Sequence, residues 1–483
     1  MTSEKVYAVI LAGGSGTRFW PVSREQAPKQ LQRITESRSM LALTLERSLS
    51  LVPAERIIIV TTRSQSGPIR TELRALNLTA VQILEEPAGR NTAPAIGLAA
   101  LHVLKQDPQS ILSVFPADHH IEEQEEFMRL VKAGAVFASS EWLVTLGVTP
   151  TRAETGYGYI QKGVALEENL LRGDVSPEWF RVAQFTEKPD RERAEQYLQS
   201  GDFFWNSGIF IWQARFFVEE MRKYLPHHYR VLREMNSVIP DASDGDSRRE
   251  ELYQALEAIS VDYGILERSQ RVAVIPADMG WSDVGSWESL REIIPKDPEG
   301  NVLQGDVIAL DTRNSLVRSD ERLVATVGVE GVVVVETADA VLVCGENRSQ
   351  EVKRITEQLQ SRGRTEARIH RLVPKPWGAY KVLDSSEKYT VKWLDVNPEQ
   401  RLSYQRHEHR AEHWTVVEGT ATVTLDDRII KVCCGEHIYI PFRSKHRIEN
   451  REEAILRIIE VQTGTYLGED DIVRYEDDYQ NER

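Results

Sequence analysis

The sequence predicts an α/β protein followed by two β-rich units. Three observations carry this expectation. Across residues 1–295, short apolar runs alternate with longer amphipathic stretches, as in a parallel sheet wrapped by helices. Past Pro295 and the turn-rich Lys296–Asn301, helical periodicity gives way to short, regularly spaced strand-like pieces, the pattern of a small all-β or β-solenoid unit. From Arg371 the chain is β-rich again, with turns at Asn397-Pro398, Glu418-Gly419, Asp426-Asp427 and Pro441, and its length fits a closed antiparallel barrel of about 110 residues.

The first unit offers strands at Val6–Leu11, Arg56–Val60, Ile111–Phe115 and Trp142–Gly147, each rich in β-branched or aromatic residues. Several end in glycine, proline or a polar turn, where ligands of open α/β sheets sit. The second offers strands at Asp306–Leu310, Ser315–Arg318, Leu323–Val329, Val332–Glu336 and Ala340–Cys344. A charged helix over Glu351–Ser361 and a linker, Ser361–Arg364, lead into the barrel. The divisions are therefore 1–295, 296–365 and 366–483, and the acidic end around Glu476-Asp477-Asp478 reads as solvated.

A chain of 483 residues is too long for one ordinary core. Its 41% hydrophobic and 28% charged residues are a globular balance. The formal charge of −15 disfavours nucleic acid, whose binding rests on neutralising phosphates, yet permits a local basic pocket for a phosphorylated small molecule. Three cysteines, Cys344, Cys433 and Cys434, form no disulfide framework and suit a reduced cytoplasmic protein. No apolar run approaches the ~20 residues of a membrane helix, and Val6–Leu11, followed by glycines and Arg18, reads as a buried strand rather than a signal peptide.

Directly after the first strand stands Leu11-Ala12-Gly13-Gly14-Ser15-Gly16-Thr17-Arg18. Glycines let backbone N–H groups approach an anion, and a guanidinium supplies a fork suited to phosphate. Lys29 adds a second charge. Phe19 stands where a dinucleotide fingerprint needs its third glycine, and no Gly-Lys-Ser/Thr of a Walker loop is present.

This loop, with Trp20-Pro21 and Ser23-Arg24 behind it, resembles the signature of sugar-1-phosphate nucleotidylyltransferases, in their mannose-1-phosphate guanylyltransferase branch. The resemblance continues in order. Pro87 to Ala95 is similar to a nucleotide-contacting segment, Phe115-Pro116-Ala117-Asp118-His119 to a strand end with a magnesium-binding aspartate, and Glu154 to Ile160 to a sugar-binding turn. Phe185-Thr186-Glu187-Lys188-Pro189, Asn206 to Phe210, Val261-Asp262-Tyr263 and Trp281 to Trp287 complete the set. It implies a Rossmann-like, GT-A-like domain that uses GTP and mannose-1-phosphate. Leu11, Ala12, Gly13, Gly14, Gly16, Thr17, Arg90, Asn91, Thr92 and Asp118 would contact the nucleotide. Gly156, Glu187 and Asn206 would contact the sugar, and Asp118 and Asp283 would hold Mg²⁺, a hard cation suited to oxygen ligands. Arg18 and Lys29 would hold triphosphate oxygens, and Lys188 the incoming sugar phosphate. No enzyme nucleophile is needed; positioning and charge neutralisation suffice. The choice of guanine follows from the resemblance alone.

The second constellation is Gln405-Arg406-His407-Glu408-His409-Arg410-Ala411-Glu412-His413, with His446 beyond Pro441. On a strand Gln405, His407 and His409 share one face. Imidazole with carboxylate or amide oxygen suits Zn²⁺, Co²⁺ or Mn²⁺. Two ligand sets compete: His407, His409, Glu412 and His446, or Gln405, His407, Glu412 and His446. The stretch, with Pro376-Trp377-Gly378, Tyr439-Ile440-Pro441, His446 to Asn450 and Tyr466 to Arg474, resembles the cupin domain of type II phosphomannose isomerase, and that resemblance favours the second set. It implies conversion of mannose-6-phosphate to fructose-6-phosphate, with Arg447 as a charge-stabilising or phosphate-contacting residue. Lys375, Arg443 and Glu408 depart from the arginine, glycine and histidine usual in that family, which bears on isomerase activity more than on fold.

The leading expectation is a bifunctional enzyme. The alternatives are a monofunctional guanylyltransferase whose cupin is structural or ligand-sensing, and a nucleotidylyltransferase with another base or sugar. A homodimer is allowed, with the solenoid as its candidate interface.

Overall fold

A computed structural model describes residues 5–14, 16–166, 177–237 and 245–476. Ser15 of the glycine loop and the acidic end beyond Glu476 lie outside the described residues.

The first unit is built on β1 (Val6–Leu11), β2 (Ile57–Thr62), β3 (Gln82–Glu86), β4 (Ile111–Pro116), β5 (His120–Ile121), β6 (Leu143–Val148), β7 (Gly158–Ala165), β8 (Phe180–Glu187), β9 (Phe203–Gln213), β10 (Val272–Ala277) and β11 (Trp281–Ser282). Nine of these form one sheet in the order β3-β2-β1-β4-β9-β6-β10-β8-β7, while β5 and β11 pair separately. The near-continuous apolar runs of β1, β2 and β4 are those of strands covered on both faces. Val9, Ile58 and Val114 face one core, and Ala8, Ile10 and Ile59 the other. Helices Met40–Leu49 and Gln124–Ala138 cover the second, and Thr92–Gln106 with Ala214–Tyr224 the first.

The sheet is parallel only in part. Pairs β1·β2, β1·β4, β2·β3 and β6·β10 are parallel, but β9 runs antiparallel between β4 and β6, and β7 and β8 form an antiparallel edge hairpin. Phe203–Gln213 is apolar along most of its length, so its periodicity carries no direction. The carboxyl ends of β1, β3 and β4 release the loops beginning at Ala12, Pro87 and Ala117 along one edge.

The second unit is a short parallel coil. Val302–Gln304 pairs with Leu316–Ser319, which pairs with Val332–Thr337, and a second face joins Val307–Leu310 to Val324–Val327. The antiparallel strand Ala340–Gly345 closes it. Its inward residues Val302, Leu316, Val333 and Leu342 pack in one cluster with Phe19, Trp20, Met40 and Trp287 of the first unit. The expected charged helix follows at Val352–Ser361.

The third unit consists of antiparallel sheets of six and five strands, whose inward residues, among them Leu394, Trp414, Val423 and Ile448, form its core. The segment leading into it is hydrogen-bonded to the residues after the glycine loop. Trp20 Nε1 donates to the Glu366 carbonyl at 3.0 Å, Gln26 N to that of Arg368 at 2.9 Å, and His370 Nε2 lies 2.8 Å from the Val22 carbonyl. Arg24, fully buried, forks onto both oxygens of Asp339 and also donates to the carbonyls of Pro21 and Ile369. Among the described residues, no helix is long and apolar enough to cross a membrane.

Removing one partner of a buried ion pair strands the other's charge. Asp339→Ala is therefore expected to cost about 3–5 kcal/mol, read from the denaturant midpoint, and Arg24→Met with Asp339→Leu to recover part of that loss.

Candidate active site and candidate metal centre

The glycine loop is fixed by its carbonyl groups. Gln30 Nε2 and Thr61 Oγ1 donate to the Ala12 carbonyl at 3.1 and 2.8 Å, and Gln65 Nε2 to that of Gly14 at 3.4 Å. Gly16 has φ +60° and lies so close to Lys29 that a Cβ would stand 2.3 Å from the lysine's own, so no side chain fits there. The N–H groups of Gly13 and Gly14 make no hydrogen bond among the described residues and remain available to an anion.

Lys29 is almost wholly buried, and its ammonium meets three oxygens. They are Asp118 Oδ2 and the Asp118 carbonyl, both at 2.9 Å, and the Asp283 carbonyl at 2.7 Å. All three protons of Lys29 join the two aspartate loops. Burial raises the Asp118 pKa, but the Lys29 charge and hydrogen bond outweigh it and hold the carboxyl below its usual range. Asp283 Oδ1 accepts from Tyr157 Oη at 2.7 Å and Gly285 N at 2.9 Å. Asp118 caps no helix; the next one begins at Gln124 behind Glu123. Beside it, burial pushes His119 down to about 4, and its Nδ1 accepts from Trp281 Nε1 at 3.1 Å.

Arg18 shares a cleft with Arg152, Tyr157, Asp283 and Gln350. Of the sugar-side residues, Glu187 ends β8 and Asn206 lies on β9, while Gly156 stands in the turn before β7 and Lys188 just after β8. Gly158 pairs with Glu187 across the hairpin, and a Cβ at Gly158 would meet Glu187 Oε2 at 2.5 Å. Lys188 is exposed and ion-paired with Glu187. Asn206 donates to Asp262 Oδ1 at 3.0 Å and accepts from Thr145 Oγ1 at 3.1 Å. Burial, then the charge of Glu187, pushes Asp262 up to about 7. The Gly156 N–H donates to Glu154 at 2.9 Å.

The segment expected to touch nucleotide makes structural bonds. Asn91, at φ +67°, caps the helix Thr92–Gln106, Thr92 Oγ1 accepts from Val261 N at 2.9 Å, and Arg90 Nη2 donates to the Gln254 carbonyl at 2.8 Å. Sequence reasoning missed Glu86 at the end of β3. It is buried against Gly13, accepts a hydrogen bond from Tyr253, and burial pushes it up to about 7. A second acidic residue after Glu85 carries no sequence signal of burial.

In the third unit, ligand-capable atoms of His407, Glu412 and His446 lie within 4.8 Å of one another, and all three residues are buried. His407 Nε2 stands 3.1 Å from Glu412 Oε1, and His446 Nε2 3.6 Å from Glu412 Oε2. Both nitrogens of His407, Nε2 of His446 and Oε2 of Glu412 have no hydrogen-bond partner among the described residues. His446 Nδ1 meets the Ser444 carbonyl at 2.9 Å, which directs the lone pair of Nε2 inward, and burial keeps the ring neutral. Orphaned buried donor atoms of this kind fit a divalent cation.

The set containing His409 is overturned. That residue is exposed and packs edge-on against Tyr466, because the chain turns after His407 before the next strand begins at Arg410. Gln405 lies directly across from His446 in the strand pairing, with Oε1 accepting from Ser403 Oγ at 2.9 Å. Arg447 is also misplaced by the expectation. Neighbours on a strand point to opposite faces, so with His446 inward Arg447 faces outward, within 3.0 Å of both Glu449 and Glu476. The buried guanidinium at this site is Arg410, whose Nε stands 3.3 Å from Glu412 Oε1. Glu460, buried beside Glu412 and pushed up by burial and by that neighbour's charge, accepts from Trp414 Nε1 and from Gln462 Nε2, each at 3.0 Å. The departures Glu408 and Arg443 form an ion pair at 3.0 Å, and Arg443 adopts φ +64°, the left-handed region that a glycine would take without strain.

Three family models match the chain: Nucleotidyl transferase over residues 7–300, MannoseP isomerase/GMP-like beta-helix domain over 305–359, and Mannose-6-phosphate isomerase C-terminal over 362–477. Among curated relatives, the Escherichia coli (strain K12) mannose-1-phosphate guanylyltransferase is 43% identical over 99% of both chains. The xanthan biosynthesis protein XanB of Xanthomonas campestris is 42% identical over 98% of this chain and 99% of its own. The alginate biosynthesis protein AlgA of Pseudomonas putida is 41% identical over 98% of this chain and 96% of its own. A crystal structure from Thermus thermophilus, described as a mannose-1-phosphate geranyltransferase, is 35% identical with a TM-score of 0.65, over 74% of this chain and 99% of that one. Full-length identity above two-fifths places this chain in the mannose-1-phosphate guanylyltransferase family, and its own C-terminal match adds a mannose-6-phosphate isomerase C-terminal domain.

Proposed function

We propose that the N-terminal cleft joins GTP and mannose-1-phosphate into GDP-mannose and pyrophosphate, and that the cupin interconverts mannose-6-phosphate and fructose-6-phosphate. One observation carries the first activity. Lys29 draws Asp118 and Asp283, far apart in sequence, to a single point at the mouth of the glycine loop. A phosphate oxygen of mannose-1-phosphate attacks the α-phosphorus of GTP, the α–β bridging bond breaks, and its electrons leave on pyrophosphate. Mg²⁺ held by Asp118 and Asp283 would neutralise charge on the transferring group. Arg18 and the loop N–H groups hold triphosphate oxygens, Lys188 swings from Glu187 to the sugar phosphate, and Glu187 and Asn206 orient sugar hydroxyls. Glu86, buried beside Gly13, supplies a carboxylate for the N1–H and N2–H donors of guanine, an edge that adenine lacks.

The isomerase reading rests on the orphaned His407, Glu412 and His446 atoms, with Gln405 as the fourth ligand. A divalent ion there would polarise the substrate oxygens while a proton moves between C1 and C2. Arg410 holds Glu412 in place, and Glu460, whose carboxyl is pushed up by burial and by the Glu412 charge, stands in the same interior.

On purified protein supplied with metal, Asp118→Asn and Asp283→Asn are expected to lower pyrophosphate release by roughly 10² or more, as for loss of a charge-stabilising group, with fructose-6-phosphate formation unchanged. His407→Ala should remove bound metal, measured by elemental analysis, together with isomerase activity, and leave pyrophosphate release intact. His409→Ala should keep the metal. Metal binding with no turnover of mannose-6-phosphate would make the cupin a structural or sensing unit. In wild type, kcat/KM for GTP should fall as pH drops through about 7, because protonation of Glu86 removes its acceptor; Glu86→Gln should flatten that limb and narrow the preference for GTP over ATP.

A further inference from the structure

We propose that Gln350, from the solenoid unit, is a positioning residue of the transferase site, holding Arg18 in the orientation that meets the triphosphate. The proposal rests on the reading of Arg18 as a triphosphate contact. The backbone under Arg18 is firmly set. Thr17–Phe19 forms a tight turn, and Phe19 and Trp20 are buried in the core shared with the solenoid. The guanidinium itself stands at the end of an exposed side chain, and among the described residues its one hydrogen bond is from Nη1 to Gln350 Oε1, at 3.1 Å. A long side chain left free loses rotamer entropy on meeting a ligand; one already held loses less.

Gln350 is suited to this by charge and by anchorage. Its amide oxygen accepts a hydrogen bond without neutralising Arg18, so the full positive charge remains for phosphate. The two carboxylates near it in sequence are engaged elsewhere: Glu346 with Arg291, and Glu351 with Arg348 and Arg354. The turn Glu346–Glu351 is tethered through that Arg291 pair and by the buried Ser349. Arg18 and Gln350 then line one cleft with Arg152, Tyr157, Asp283 and Ser286. The solenoid thus supplies a side chain to the mouth of the reaction cleft as well as packing behind it.

A double-mutant cycle on the full chain tests this, with pyrophosphate release followed as GTP is varied. Gln350→Ala is expected to raise KM for GTP roughly three- to tenfold with little change in kcat and no change in the unfolding midpoint, since the residue is exposed. Gln350→Glu should be worse than Gln350→Ala, because a carboxylate competes with phosphate for Arg18, and Gln350→Asn should recover part of the loss. In an Arg18→Ala background, Gln350→Ala should add nothing. If Gln350→Ala matches wild type while Arg18→Ala is impaired, or if the two losses multiply, the positioning role is overturned and the Arg18 reading stands. If Arg18→Ala itself leaves KM and kcat for GTP unaltered, the triphosphate reading falls and takes this inference with it.

Discussion

The N-terminal site depends on one buried ammonium. Two aspartates whose loops converge would repel each other, and desolvating them adds to the cost. Lys29 offsets both terms by donating to the side chain and backbone of Asp118 and to the backbone of Asp283. Its position is set in turn by Gly16, where any Cβ would collide with it. The glycine loop, the lysine and the two aspartates are therefore one device, and each of its parts explains the residue type of another.

That device is not self-supporting. The turn carrying Arg18 rests on Phe19 and Trp20, which are buried among solenoid residues, and the stretch behind it hangs on Arg24, whose guanidinium is committed to Asp339 and to backbone carbonyls on either side. The short solenoid has too few inward residues to make a core alone. It shares one with the transferase, so packing energy and site geometry are the same interaction seen from two sides.

Much of this was legible in the sequence. The apolar run Val6–Leu11 and the glycines behind it specify a buried strand releasing an anion loop, and the solenoid strands fall where β-branched clusters alternate with turns. Direction and facing were harder to read. Phe203–Gln213 is apolar on both sides, so nothing in it states that it runs against its neighbours. Arg447 stands beside a ligand in sequence and on the opposite face in space. His409 keeps the spacing of His407 but sits past the strand end, where alternation no longer applies. Glu86 and Gln350 look like surface residues, because what matters at each is a contact with a loop more than 70 or 300 positions away.

The bonds from residues 366–370 back to Trp20, Val22, Arg24 and Gln26 bear on how such a chain can be divided. The linker between joined domains is usually pictured as a tether that either one could lose. Here its backbone caps groups in the stretch just behind the glycine loop, so the third unit cannot be cut away at the linker without opening bonds inside the first. A transferase that stood alone would need other acceptors for the Trp20 indole and the Arg24 guanidinium, and the joining of a further domain in one polypeptide has become part of how the transferase is built.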